Sequence, residues 1–395
     1  MDFGPIEMNA DTIALWHSVR SFLDEHVTSG LLEHEWSCGE GVDPHLHRLL
    51  GEQGWLEPML AIPDGGIEAS PIESTIIERE LRAHDVPMVA HLSSKMVADT
   101  VRAHGSDQLK RSILGPIARG EVLISLGYTE PDVGSDLANV ATRAERDGDG
   151  WTLTGQKLFT TAAQHCHYCF VLARTDPEGP PHRGLTMFLV PTPSPGVEIR
   201  AIQTLGGERT NVVFFDGVRV PDDLRVGDVH AGWSVLNGAD GALSAEHGSG
   251  DEALDGTTLN WKALAVLRRA ADSAIEWAAR PDPAGCRPID DPAVRRRLAR
   301  VLVDLEVAGV APPVFSRVIS TTVLVAGARD LLQLLGPEGQ TDDGSVCAWV
   351  SHAYRFAPGT GIYGGTIDIF RNMIAEQRLG LPRSRPPRPA KSAKA

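Results

Sequence analysis

The spacing of apolar and polar positions divides the chain into three stretches. Over residues 12–27, apolar side chains fall at Ile13, Trp16, Val19 and Leu23, the repeat of one helix face. Ser70-Pro71-Ile72-Glu73 reads as a helix start. Serine caps the first amides, proline suits the first turn, and Glu73 can return a bond to the cap. Ile72, Ile76, Ile77 and Leu81 supply the stripe of that helix, and Pro87 ends it. Further helices are predicted over 94–104 and, capped by Ser106, through Leu109, Ile113 and Ile117.

From Ile124 the period shortens. Residues 141–145 and 151–154 flank Asp147-Gly148-Asp149-Gly150, a sequence that tolerates positive φ and predicts a hairpin. Strands rich in Val, Ile and Phe follow over 168–174, 185–191, 197–202 and 211–215. After Trp233 the helical spacing returns, over 259–280, from Asp291-Pro292 through Leu305, and over 315–335. Gly336-Pro337 breaks the last of these, and further helices are predicted over 346–354 and 366–379. The fold class predicted is α+β. An N-terminal helical domain (1–122) precedes a middle antiparallel β domain (123–233), a C-terminal helical bundle (234–380), and a basic, Pro-rich tail (381–395) that reads as disordered.

Composition narrows the function class. A chain of 395 residues, 42% hydrophobic and 23% charged, is long enough for two or three domains with a large core. With 52 acidic and 37 basic residues its net charge is −15, which works against non-specific nucleic-acid binding. No uninterrupted apolar stretch is long enough to span a bilayer and the first residues do not resemble a signal peptide, so the expectation is a cytoplasmic protein with no membrane partner. Five cysteines do not suggest a disulfide scaffold. His165-Cys166-His167-Tyr168-Cys169 lacks a second ligand pair at zinc spacing, so no metal is expected. Gly359-Thr360-Gly361-Ile362-Tyr363-Gly364 matches the dinucleotide pattern G-x-G-x-x-G. It follows a predicted helix rather than a strand, so a Rossmann site is rejected.

Three motifs carry a resemblance. Thr129-Glu130-Pro131-Asp132-Val133-Gly134-Ser135-Asp136, then Gly155-Gln156-Lys157-Leu158-Phe159-Thr160-Thr161, then Phe214-Phe215-Asp216-Gly217-Val218-Arg219-Val220-Pro221, in that order and spacing, resemble the middle domain of acyl-CoA dehydrogenases. The run from Ile362 to Asn372 resembles the Gly-Gly-Thr helix start of the same family, so the likeness covers nearly the whole chain. It implies FAD as cofactor and an acyl-CoA thioester as substrate. A carboxylate would take the α proton, hydride would leave the β carbon, and an electron-transfer flavoprotein or similar acceptor would reoxidise the enzyme. By the same resemblance Thr129 and Ser135 hydrogen-bond the flavin, Phe159 stands where tryptophan is usual, and Thr161 follows it. Gln333 reaches a neighbouring subunit's flavin, while Thr366 and Asp368 complete its binding. The Gly364 N–H polarises the thioester carbonyl.

The catalytic base departs from the family's common pattern. Many members carry it immediately before the Gly-Thr of the C-terminal loop, where this chain has Gly364. A minority place it after the β domain, and there Leu243-Ser244-Ala245-Glu246-His247 makes Glu246 the candidate. The family's Arg-x-x-Phe-Gly segment is replaced by Arg280-Pro281-Asp282-Pro283-Ala284-Gly285. This mixed inventory resembles actinobacterial enzymes built from two different chains, and a homo- or hetero-tetramer with a paralogous subunit is expected. A non-catalytic partner subunit, completing a flavin site whose base lies in another chain, is the alternative.

Overall fold

The structure, a computed structural model, describes residues 8–237, 258–340 and 347–382. The chain divides into two compact units, Met1–Ala253 and Leu254–Ala395.

The first unit opens with six helices: α1 (Ala10–His26), α2 (Ser29–Cys38), α3 (Pro44–Glu52), α4 (Pro71–Ala83), α5 (Val89–His104) and α6 (Asp107–Ala118). Side chains of Asn9, Thr28, Asp43, Ser70 and Ser106 accept from first-turn amides of five of them, which is why these short helices start where they do. At α4 both arms of the Ser70–Glu73 capping box form. Eight strands follow: β1 (Ile124–Gly127), β2 (Arg143–Asp147), β3 (Gly150–Lys157), β4 (Tyr168–Arg174), β5 (Leu185–Pro191), β6 (Val197–Gln203), β7 (Arg209–Pro221) and β8 (Arg225–Val226). The unit's described residues end in α7 (Gly232–Asn237).

Seven strands run in the order β6-β7-β3-β2-β4-β5-β8. The predicted hairpin is β2–β3, paired from Arg143↔Thr154 to Asp147↔Gly150, with Gly148 at φ 59 in its two-residue turn. The sequence did not reveal that β1 runs parallel to β4, Ile124 opposite Tyr168. That pairing is non-local and leaves no short-range turn signal. β4 and β5 are apolar on both faces. Phe170, Leu172, Leu185, Met187 and Leu189 pack with Val97, Val101, Leu109, Ile113 and Ile117 of the helices. The alternate residues Cys169, Val171, Ala173, Phe188 and Val190 pack with Trp151, Leu153, Val213, Phe215, Val218 and Val220. The sheet therefore curls over itself, bringing the rings of Trp151 and Phe188 to 5.3 Å. β4 lies between two cores and reads as a continuous apolar run because neither face meets water.

The second unit is a helical bundle: α8 (Thr258–Ala279), α9 (Pro292–Gly309), α10 (Pro313–Leu335), α11 (Ala348–Thr360) and α12 (Ile367–Met373). Ala263, Leu267, Ala270, Ala274, Leu298, Leu305, Leu324, Leu331 and Phe356 form its core. Two boundaries differ from expectation. α11 runs to Thr360 through Pro358, whose missing N–H falls in the last turn while Phe356 and Ala357 anchor it by burial. The last helix is regular only to Met373 and continues as a π turn, Ile374–Arg378. Contrary to the sequence expectation, one helix among the described residues, Phe315–Gln340, is long and apolar enough to cross a bilayer, with a third of its apolar 18-residue window buried. Its stripe of Leu324, Ala328, Leu331 and Leu335 belongs to the bundle core, and core helices pass the same hydropathy test.

Two histidines are buried where α3 meets α5. The rings of His47 and His91 stand 5.7 Å apart, and His47 Nε2 and His91 Nδ1 have no hydrogen-bond partner. Burial, with His91 and His167 nearby, pushes His47 down to about 3; burial, with Lys95 nearby, does the same to His91. The folded state disfavours the charged form, so stability is full above the unfolded value of 6.5 and is lost as pH falls from there toward 3. Urea titrations are predicted to lose about 2–3 kcal/mol between about pH 7 and 5.5 from this pair, and about half of that increment disappears in His91→Gln.

Candidate functional site

In the first unit, β1 and β3 deliver the predicted flavin residues to adjoining loops. The Leu158 N–H donates to the Thr129 carbonyl oxygen at 2.8 Å, so the segments carrying Thr129 and Phe159 lie side by side. Glu130 and Val133 exchange backbone bonds of 2.9 and 3.1 Å across a tight turn, after which Ser135 is exposed. Thr129 and Thr161 are half-buried, and the Thr161 hydroxyl stands 3.4 Å from that of Thr210.

Phe159 is the unusual residue here. Its ring is 58% exposed although it is large and apolar. Its φ is 59, and that of Ala162, three residues on, is 57. A non-glycine residue in this left-handed region carries about 1–2 kcal/mol of strain, held only where surrounding bonds over-determine it. Those bonds are present on both flanks. On one, Lys157 is fully buried, donates to a Glu130 carboxylate oxygen at 2.7 Å and reaches the Tyr128 carbonyl at 3.2 Å. Glu130 also accepts from the backbone N–H groups of Ala141 and Thr142, at 2.6 and 2.9 Å. Burial alone would raise its carboxyl, but the Lys157 ammonium and these donors hold it below the usual carboxylate range. On the other flank, the Thr160 N–H donates to the Asn211 carbonyl at 2.9 Å, and Asn211 Nδ2 donates to the Thr160 carbonyl at 2.9 Å.

In the second unit, Gly364, Thr366 and Asp368 lie on one loop and the helix start that follows it. Gly364 and Gly365 are left-handed, φ 61 and 86, and the Thr366 side chain caps α12 by accepting from the Ile369 N–H. Buried Arg317 of α10 fixes the loop, donating to the Tyr363 carbonyl at 2.6 Å beneath the rings of Tyr363 and Phe370. The exposed Asp368 carboxylate pairs with Arg371 at 3.0 Å. Gln333 is exposed near the end of α10. The G-x-G-x-x-G run begins inside α11 with no strand before it. Glu246 and residues 383–395 of the tail lie outside the described residues.

Among the described residues no group of three or more His, Cys, Asp or Glu side chains is placed to hold a metal ion. Cys166 and Cys169 are buried free thiols, and burial pushes both up, Cys169 to about 12. A cavity of about 390 Å³, lined by Arg143, Trp151, Arg174 and His230 among others, includes none of the candidate residues.

Three family models match the chain: the acyl-CoA dehydrogenase N-terminal domain over residues 9–121, the middle domain over 125–218, and the C-terminal domain over 257–311 and 314–379. Acyl-CoA dehydrogenase IpdE1 of Mycobacterium tuberculosis is 36% identical over 348 residues, which cover 84% of this chain and 84% of that protein. The chain belongs to the acyl-CoA dehydrogenase family. Its members are flavoprotein oxidoreductases that dehydrogenate acyl-CoA substrates. Acyl-CoA dehydrogenase FadE29 of the same organism is 30% identical over 359 residues, 85% of this chain and 88% of that one. Among solved structures, the ChsE4–ChsE5 complex from Mycobacterium tuberculosis superposes with a TM-score of 0.79 at 28% identity, covering 96% of this chain and 100% of that one. The Tcur3481–Tcur3483 steroid acyl-CoA dehydrogenase does so at 0.77 and 26%, with the same coverage.

Two residues central to this geometry, Lys157 and Asn211, are not among the site residues predicted from the sequence. A signal for Lys157 was available, since counting by twos from Trp151 and Leu153 along β3 lands on it and an inward lysine needs a carboxylate. Lys157→Met strands the Glu130 charge in the core and is predicted to cost about 3–5 kcal/mol, measured as a fall in the chemical denaturation midpoint; an unshifted midpoint would show that the pair bears no load.

Proposed function

We propose that this chain is the FAD-binding subunit of an acyl-CoA dehydrogenase that oxidises the α,β bond of an acyl-CoA thioester to a 2-enoyl-CoA. The observation that carries the reading is Phe159, an exposed apolar ring held at φ 59 and flanked by the half-buried hydroxyls of Thr129 and Thr161. A flat heteroaromatic ring fits such a wall, since it covers the exposed phenyl face and gives the hydroxyls polar edges to meet. Thr129, Ser135, Phe159 and Thr161 would seat the flavin from one chain, and Gln333, Thr366 and Asp368 would complete its binding across a subunit interface. When bound, FAD supplies the hydride acceptor. Glu246 takes the α proton, and the Gly364 N–H, free of a side chain, donates to the thioester oxygen as negative charge develops there. The steroid enzyme among the similar structures makes a steroid-derived acyl-CoA the first substrate to test, with an electron-transfer flavoprotein or an artificial dye as acceptor.

A second reading, in which this chain completes a partner's site without supplying the base, is favoured by glycine at 364 and by the missing phenylalanine after Arg280. The purified chain, alone and mixed with a paralogous subunit, separates the two. A yellow protein with flavin absorbance that bleaches with acyl-CoA supports the first. Glu246→Gln is then predicted to keep the flavin and lose bleaching by at least about 100-fold; wild-type bleaching in that variant removes Glu246 from the mechanism. A colourless chain that gains flavin and activity only on mixing supports the second.

A further inference from the structure

Asn211 lies on β7 with no solvent exposure, next to Val212 and Val213. A valine would suit such a strand position better, because asparagine is disfavoured in strands and costly to bury. Its bonds indicate why it is there. Its carbonyl takes the Thr160 N–H, while its Nδ2 donates to the Thr160 carbonyl at 2.9 Å and to Gln164 Oε1 at 2.8 Å. One residue thus occupies both backbone polar groups of the residue next to Phe159 and ties down the far end of the loop through Gln164. The loop between carries two left-handed non-glycine residues, Phe159 and Ala162, a conformation it would leave if released. The arrangement is also not one that merely satisfies itself, since Asn211 Oδ1 and Thr160 Oγ1 are both buried without a hydrogen-bond partner.

We propose that Asn211 is a positioning residue for the cofactor: by clasping Thr160 and Gln164 it holds Phe159 in its left-handed conformation and so sets the angle at which the phenyl ring meets the flavin. This rests on the flavin reading above and goes beyond it by assigning to a residue that need not touch the cofactor the task of presenting the one that does.

The test is a double-mutant cycle on the full-length protein, with FAD affinity read by titrating the flavin-stripped chain and following flavin absorbance and fluorescence. Asn211→Ala removes the donor. Asn211→Leu removes it with a side chain of similar shape and deletes the orphaned carbonyl oxygen, and its denaturation midpoint, measured alongside, separates a loss of FAD binding from a loss of fold. Each is expected to weaken FAD binding about tenfold, and Phe159→Ala by a similar factor. Because Asn211 acts through Phe159, the combined variant should bind no more weakly than the worse of its parents. The resolved shoulder of the visible flavin band should blur in the Asn211 variants as it does in Phe159→Ala. Parental affinity in Asn211→Leu, or losses that simply add in the combined variant, overturns the proposal, as does Phe159→Ala binding as tightly as its parent. A parent chain that takes up no FAD, alone or with a paralogous subunit, instead overturns the flavin reading itself.

Discussion

The arrangement of the first unit depends on one desolvated ion pair. An ammonium with no access to water is tolerated only if a carboxylate meets it and the remaining lone pairs of that carboxylate are filled. Glu130 meets both conditions, taking Lys157 from the end of β3 and two amides from the segment leading into β2. Three pieces of chain distant in sequence thereby share one node: the turn after β1, the entry to the hairpin, and the loop bearing Phe159. None can shift without uncovering a charge, so the strain at Phe159 is carried by its neighbours.

The surrounding sheet provides the rigidity this node needs. β4 is buried on both faces, and Ser94 of α5 joins its partner β1 to the helical layer, accepting from the Ile124 N–H at 2.8 Å while donating to the Ala90 carbonyl. The helices before the sheet therefore do more than cover it. They fix the strand from which Thr129 and Glu130 emerge, which gives a structural role to a block whose sequence offers no catalytic chemistry.

Local rules were legible in the sequence, and non-local ones were not. The capping box at Ser70, the β2–β3 turn and the Asp291-Pro292 helix start each depend on residues within a few positions of one another, and each formed as read. The parallel β1–β4 joint, the Lys157–Glu130 pair and the Asn211 clasp connect residues 27 to 51 positions apart, and no local pattern encodes which partner a buried polar side chain will find. The motifs did contain the right residues. Lys157 and Glu130 sit inside two of the runs that resemble the family, yet the resemblance assigned roles to Phe159 and Thr129 beside them. The continuation of α11 through Pro358 is a milder case, in which tertiary burial outweighs a local breaker.

The glycine at 364 bears on where the base can be. By the family resemblance it stands where many members would carry their carboxylate, and its φ of 61 sits beside a second left-handed glycine. A glutamate placed there would have to adopt the left-handed region at about 1–2 kcal/mol, or force the loop to refold against the Arg317–Tyr363 bond that anchors it. The loop's own backbone therefore favours glycine here. A backbone that favours glycine leaves a bare N–H at this point, which fits the proposed reading in which the carboxylate lies on another segment. In the proposed function that group is Glu246, or the equivalent carboxylate of a partner subunit.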